Sequence, residues 1–190
     1  MPLSPELTTF NTASPVIASY DYQDIIDGSG LIDFYFVQSV DSGGATYELT
    51  TNESQSGSNN TAFVPSTEIN FNTLQFNSPR YIDGTAVLVL GGFANVTKPI
   101  SARIIHLRGA VETEIGASIT TPNITTGVAG AYYRLSIPLT SINFAQGDIL
   151  RVELITSAVG GNVYIGSSPL ESAAGSMTAT KSILKLPIRI

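Results

Sequence analysis

The sequence predicts an all-β protein, a sandwich or barrel, and three observations carry that expectation. Apolar and polar side chains alternate at period two in segment after segment, the signature of half-buried strands. Clusters of Gly, Asp and Asn recur roughly every ten residues, as short strands joined by reversals require. Helical periodicity of useful length is found nowhere along the 190 residues.

Taken in order, strands are expected near 31–39 ("LIDFYFVQS"), 45–51, 67–76, 85–91, 100–108, 111–119, 130–139, 148–156 and 161–166, with a closing one in "SILKLPIRI". In 148–156, Leu150, Val152 and Leu154 point one way while Arg151 and Glu153 point the other. In the closing strand Leu184, Leu186, Ile188 and Ile190 share one face, opposite Lys185, Pro187 and Arg189. Pro187 has no N–H to give a ladder, so it belongs at a sheet edge or a bulge. Breakers separate the strands: "DSGG" (41–44), "IDGTA" (82–86), "RGA" (108–110), "TPN" (121–123), "QGD" (146–148) and "VGGN" (159–162). Glycine there supplies positive φ, and Asp or Asn bonds the neighbouring backbone.

One strand breaks the alternation. Leu31, Tyr35 and Val37 oppose Ile32, Phe34 and Phe36, apolar on both faces. Its outer face must be covered, and the expected cover is an N-terminal arm or another subunit. Residues 1–19 mix prolines and hydroxyls with scattered apolar side chains and read as an extended arm, leaving 20–190 as one domain. Leu3, Leu7, Phe10, Val16 and Ile17 are its candidate anchors for a partner. The stretch 51–63, "TNESQSGSNNTAF", reads as a polar, solvent-facing loop.

The chain has no cysteine, so neither disulfides nor thiolate metal sites hold it. Charged residues are 13% of the total and the net charge is -6, against the basic face a nucleic-acid partner needs. The N-terminus has no basic n-region and carries Glu6 where a signal peptide needs apolar residues, so export by that route is not expected. The longest apolar stretch, 85–96, is well short of the roughly 20 residues that span a bilayer. A soluble chain made in a cytoplasm is the expectation, without nucleic-acid or membrane partners.

No catalytic, cofactor or metal constellation stands out. His106 is the single histidine, with no G-x-S-x-G elbow to serve, and a structural or surface role is expected for it. Asp21, Asp24 and Asp27 lack the alternate spacing and closing Glu of a calcium loop and suit turns and caps. Glu112 and Glu114 share one strand face, where they point out together, whereas a glycosidase pair must face across a cleft. Asn52, Asn59, Asn95 and Asn123 fit glycosylation acceptors by chance composition. Tyr132 and Tyr133 are conceivable as a sugar platform, yet Tyr133 falls on the inward face with Leu135 and Ile137 and there is no tryptophan.

The order of "ASYDYQDIIDGSGLIDFYF", "FNSPRYIDGTAVLVL", "RIIHLRGAVETEIG", "LSIPLTSINFAQGDILRVELI", "VYIGSSP" and "LKLPIRI" resembles the jelly-roll accessory structural proteins of tailed bacteriophages and related environmental viruses. The likeness runs from about Ala18 to Ile190, with Ser168 departing from an Asp-Pro in similar proteins. It implies an antiparallel two-sheet jelly-roll β-sandwich and a non-enzymatic virion protein without cofactor, a capsid decoration or cement protein or a head-fibre subunit. The implied partners are the major capsid protein or other virion proteins, in a homo-oligomer, a trimer by analogy with capsid three-fold axes. A carbohydrate-binding module or the receptor-binding tip of a tail fibre, with a glycan as ligand, is the alternative.

Overall fold

Period-two patterning makes strands almost wherever the sequence places them. The computed structural model describes residues 29–57, 60–63, 67–94, 97–124, 131–156, 161–170 and 181–189. They form β1 (Ser29–Asp41), β2 (Gly44–Thr50), β3 (Asn60–Phe63), β4 (Glu68–Thr73), β5 (Arg80–Ala94), β6 (Ile100–Arg108), β7 (Val111–Thr120), β8 (Ala131–Phe144), β9 (Ile149–Thr156), β10 (Val163–Gly166) and β11 (Ile183–Arg189). There is no helix among the described residues. The unexpected strand is β3, inside the stretch read as a polar loop; it is ordered by pairing with β10.

Hydrogen bonding closes the sheet on itself. The order is β11-β1-β2-β4-β9-β6-β7-β8-β5, and β5 pairs back to β11, so nine strands make a closed, mixed barrel; β10 and then β3 extend from β5. The expected two-sheet sandwich is therefore corrected to a barrel. The physical reason is the length of two strands. β1, of 13 residues, gives one edge to β11 over Ser29–Tyr35 and the other to β2 over Tyr35–Asp41. β5, of 15 residues, pairs with β8 on one edge and with β11 and then β10 on the other. Each carries the ladder past the point where two separate sheets would end.

Two seams of the ring are thin. β2 and β4, the parallel neighbours, share only the pairs Glu48–Asn72 and Leu49–Thr73. β7 meets β8 at Gly116–Leu139 alone. A Cβ on Gly116 would stand 2.8 Å from Ile137 Cγ2 and 3.1 Å from Leu139 Cδ2, so glycine is what lets these strands touch.

The inward residues build one core, from Phe34 and Phe36 through Ile82, Leu88, Ile104, Ile137, Val152 and Leu186. Phe71 centres an edge-to-face cluster, 4.8 Å from Phe36 and 5.3 Å from Tyr47 between ring centroids. Pro187 sits where its missing N–H is harmless. It pairs with Leu31 of β1, and on the β5 side the register slips between Lys185 and Ile188, a bulge.

The outer face of β1 is covered by the chain itself at Tyr35 and Val37, while Leu31 on the same face stays exposed. Val37 is fully buried although it points away from the core, and the cover is the 51–57 loop together with residues 167–168 and 181–182. Ser167 O accepts from Gln38 N, Ser168 Oγ accepts from Gly57 N, and Lys181 Nζ lies 5.5 Å above the Tyr35 ring. The expectation of an arm or second subunit over Tyr35 and Val37 is replaced by this internal cover, and part of the supposed solvent-facing loop is half-buried within it.

Candidate functional site

Below Tyr35 the barrel wall opens. β2 accompanies β1 only from Tyr35 upward, and β4 gives way after Thr73 to the irregular segment 74–79. Between the lower half of β1 and that segment lies a groove of about 860 Å³, closed at one end by Thr50, Thr51 and Glu53. Leu31 and Leu74 stand exposed along it, 54% and 83% accessible.

The groove carries more acid than base. Asp33 is paired with Lys185 (2.6 Å) and Glu53 with Lys181, while Glu48 faces only the neutral Gln55 amide at 3.4 Å; Arg80 stands at the far end. Lys181, through its hydrogen bond and then its charge, holds the Glu53 carboxyl below the usual range, and burial pushes the Tyr35 phenol up. The Tyr35 phenol lies against the Glu53 carboxylate and helps hold its charge; among the described residues no group of His, Asp or Glu is placed to hold a metal ion. What the groove offers is polar backbone and carboxylates beside apolar side chains.

Its wall is held by the turn after β8. Gly147, at φ 90°, reverses the chain and brings Asp148 beneath it. The Asp148 carboxylate accepts from His106 Nε2 (2.6 Å), Arg108 Nη2 (2.8 Å) and Ala145 N (2.7 Å). Because an ionised carboxylate only accepts, His106 carries its proton on Nε2. Arg108 above all, with His106 and the Ala145 N–H, holds the Asp148 carboxyl far below its ordinary range against the opposing effect of burial. The same turn grips segment 74–79: Phe76 N donates to Asp148 O and Gly147 N to Phe76 O, both at 2.9 Å. Phe76 then stacks edge-on to Phe144, at 5.1 Å.

A second polar array crosses the outer wall. Buried Glu153 of β9 accepts from Arg103 of β6, which also reaches Glu114 of β7 at 3.5 Å. Arg151 bridges Asn72 Oδ1 at 2.9 Å and Glu112 at 2.6 Å. These are cross-strand ties, three between neighbouring strands and one, Arg151 to Glu112, reaching from β9 across β6 to β7.

The structure thus gives His106 a buried structural bond and leaves Glu112 and Glu114 exposed on one face, paired to arginines. Tyr132 is 57% accessible, and Tyr133 packs against the core. Ser168 is buried and donates to Leu170 O. The anchors Leu3, Leu7, Phe10, Val16 and Ile17, and the aspartates 21, 24 and 27, lie outside the described residues. The groove itself was missed, since it is formed by residues far apart in sequence; the one available signal was that Leu74 and Phe76 sit where the alternation of 67–73 breaks down.

No protein-family model matches the chain, and no curated protein matches its sequence. Solved structures do share its fold. An α-amino acid ester hydrolase aligns over 84% of this chain and 36% of its own, with a TM-score of 0.60 and 14% identity. A CocE/NonD family hydrolase from Staphylococcus aureus aligns over 86% of this chain and 37% of its own (TM-score 0.56, 11% identity). An aminopeptidase from a marine sediment archaeon, Thaumarchaeota archaeon, aligns over 65% and 26% (TM-score 0.51, 10% identity). The chain therefore spans from about a quarter to little more than a third of these proteins, and at such identity the likeness is one of fold. It also corrects the resemblance drawn from sequence motifs: the architecture is shared with part of CocE/NonD-type hydrolases, not with phage accessory proteins.

Proposed function

We propose that the protein is a non-enzymatic attachment module whose working surface is the groove between β1 and segment 74–79. The observation that carries this reading is where its reactive side chains are spent. His106 is committed to Asp148 and Glu153 to Arg103, and in the opening of the wall Asp33 is tied to Lys185 and Glu53 to Lys181. A virion surface is the assembly in which we propose to find it, as a decoration, cement or head-fibre subunit holding capsid protein. Homotrimer formation belongs to the same proposal.

The test has two parts. Freshly purified full-length protein should show no saturable turnover on ester, amide, glycoside and phosphoester substrates. Turnover abolished by Asp33→Asn, Glu48→Gln or Glu53→Gln would overturn the non-enzymatic reading. A mass-spectrometric census of purified particles should find the chain in many copies, and its absence from them removes the virion setting.

The fold shared with ester hydrolases favours a second reading, an accessory β-domain that works beside a separate catalytic unit. Copurification of the native protein with an ester-hydrolase activity that the isolated chain lacks would select it.

A further inference from the structure

The groove runs along a strand edge that finds no backbone partner among the described residues. Backbone groups alternate in direction along an antiparallel strand. Phe36 N donates toward the β11 side, to Ser182 O at 3.2 Å, so the even-numbered residues of β1 bond toward β11. The N–H and C=O of Leu31 and Asp33 point the other way. β2 occupies that side only from Tyr35 onward, and among the described residues no strand pairs with Gly30–Phe34 on that side. These backbone groups open into the cavity.

We propose that this half-edge is a strand-addition site, taking an extended, neutral-to-basic segment of a partner polypeptide. This rests on the attachment reading above and gives it a ligand. Unpaired strand edges template pairing with another chain, and main-chain bonds supply affinity while alternate side chains supply selectivity. About five extended residues, at roughly 3.3 Å each, match the stretch from Gly30 to Phe34. Alternate apolar side chains of the added strand meet Leu31 and Leu74 at the rim. Glu48, held only by the Gln55 amide, favours a lysine or arginine in the segment.

The experiment uses the full chain as bait for a displayed library of random peptides of roughly twelve residues, long enough to span the edge. The expected winners alternate apolar residues and carry a basic one. In a synthetic winner, N-methylation at every second backbone nitrogen should weaken binding by about tenfold or more, and at the intervening nitrogens much less. Amide exchange at Leu31 and Asp33 should slow on binding, and Leu31→Pro should abolish binding while the protein still melts cooperatively. The N-methyl series touches only the peptide, so it decides the matter even if Leu31→Pro does not fold.

No enrichment, or an N-methyl series without alternation, overturns the proposal. So does strong protection of Leu31 and Asp33 in the free protein: if independent of concentration, residues 1–28 of the chain hold the edge, and if it grows with concentration, a second copy does. None of these outcomes touches the non-enzymatic reading, which turnover alone would sink.

Discussion

Asp148 Oδ2 stands 2.6 Å from His106 Nε2, deep under the turn that joins β8 to β9, and the same carboxylate is gripped by Arg108 from the rim. The pair joins the end of β6 to the turn and, through Phe76, to the groove wall. Asp148→Ala removes the acceptor shared by His106, Arg108 and Ala145 and leaves the imidazole N–H buried without its partner, a loss of about 2–3 kcal/mol. A fall in melting temperature with faster amide exchange at Phe76 and Gly147 is the expected result; an unchanged melt would mean the cluster is decorative.

The same carboxylate fixes an acid limb of stability. Its folded-state pKa is depressed below its ordinary value, so its contribution is fully present above the unfolded value of about 3.9 and is lost as pH falls below that toward the folded value. Stability measured by denaturant titration should drop below about pH 4 in the wild type, and less steeply in Asp148→Ala.

Gly116 is where the barrel closes between β7 and β8, and side chains press on it from Ile104, Ile137 and Leu139. Gly116→Val should cost about 1–3 kcal/mol by overpacking, more if the seam parts. Denaturation by urea would read this as a lower midpoint, with a changed slope if the ring opens.

Buried Glu153 and exposed Glu112 each bind an arginine on the outer wall, and burial separates them. Glu153→Gln should cost about 1.5–3 kcal/mol, the range of a charged hydrogen bond, whereas Glu112→Gln should cost under about 1 kcal/mol and fade in salt. Equal losses in thermal melts would contradict the assignment.

Val37 points outward yet is fully covered by the chain's own loops. Val37→Ala should cost about 1.5–3 kcal/mol, as a core valine does. Because the cover is intramolecular, the loss should be the same at low and high protein concentration; a concentration-dependent melting temperature would place another subunit there.

The strands were legible because alternation is a local property. Leu150, Val152 and Leu154 against Arg151 and Glu153 declare a half-buried strand whatever the rest of the chain does, and β9 is there with Glu153 alone drawn under by Arg103. Pro187 was legible for the same reason: a missing N–H must fall at an edge or a bulge, and the bulge opposite β5 is where it falls. For His106 the expectation was a structural or surface position, and its burial against a partner 42 residues away was not legible.

By itself, then, the sequence determined an all-β chain, its turns, its inward faces and the burial of β1 on both faces at Tyr35 and Val37, though not at Leu31, all set by side chains within a few residues of one another. Tertiary structure decided closure into a barrel, the covering of Val37 by residues 51–57 and 167–168, the bond from His106 to Asp148, and the groove below Tyr35. Each of these depends on which edge meets which, and how far along. β2 stops at Thr50 and pairs with β1 only down to Tyr35, so the wall opens there; nothing in the alternation of either strand fixes where that pairing ends.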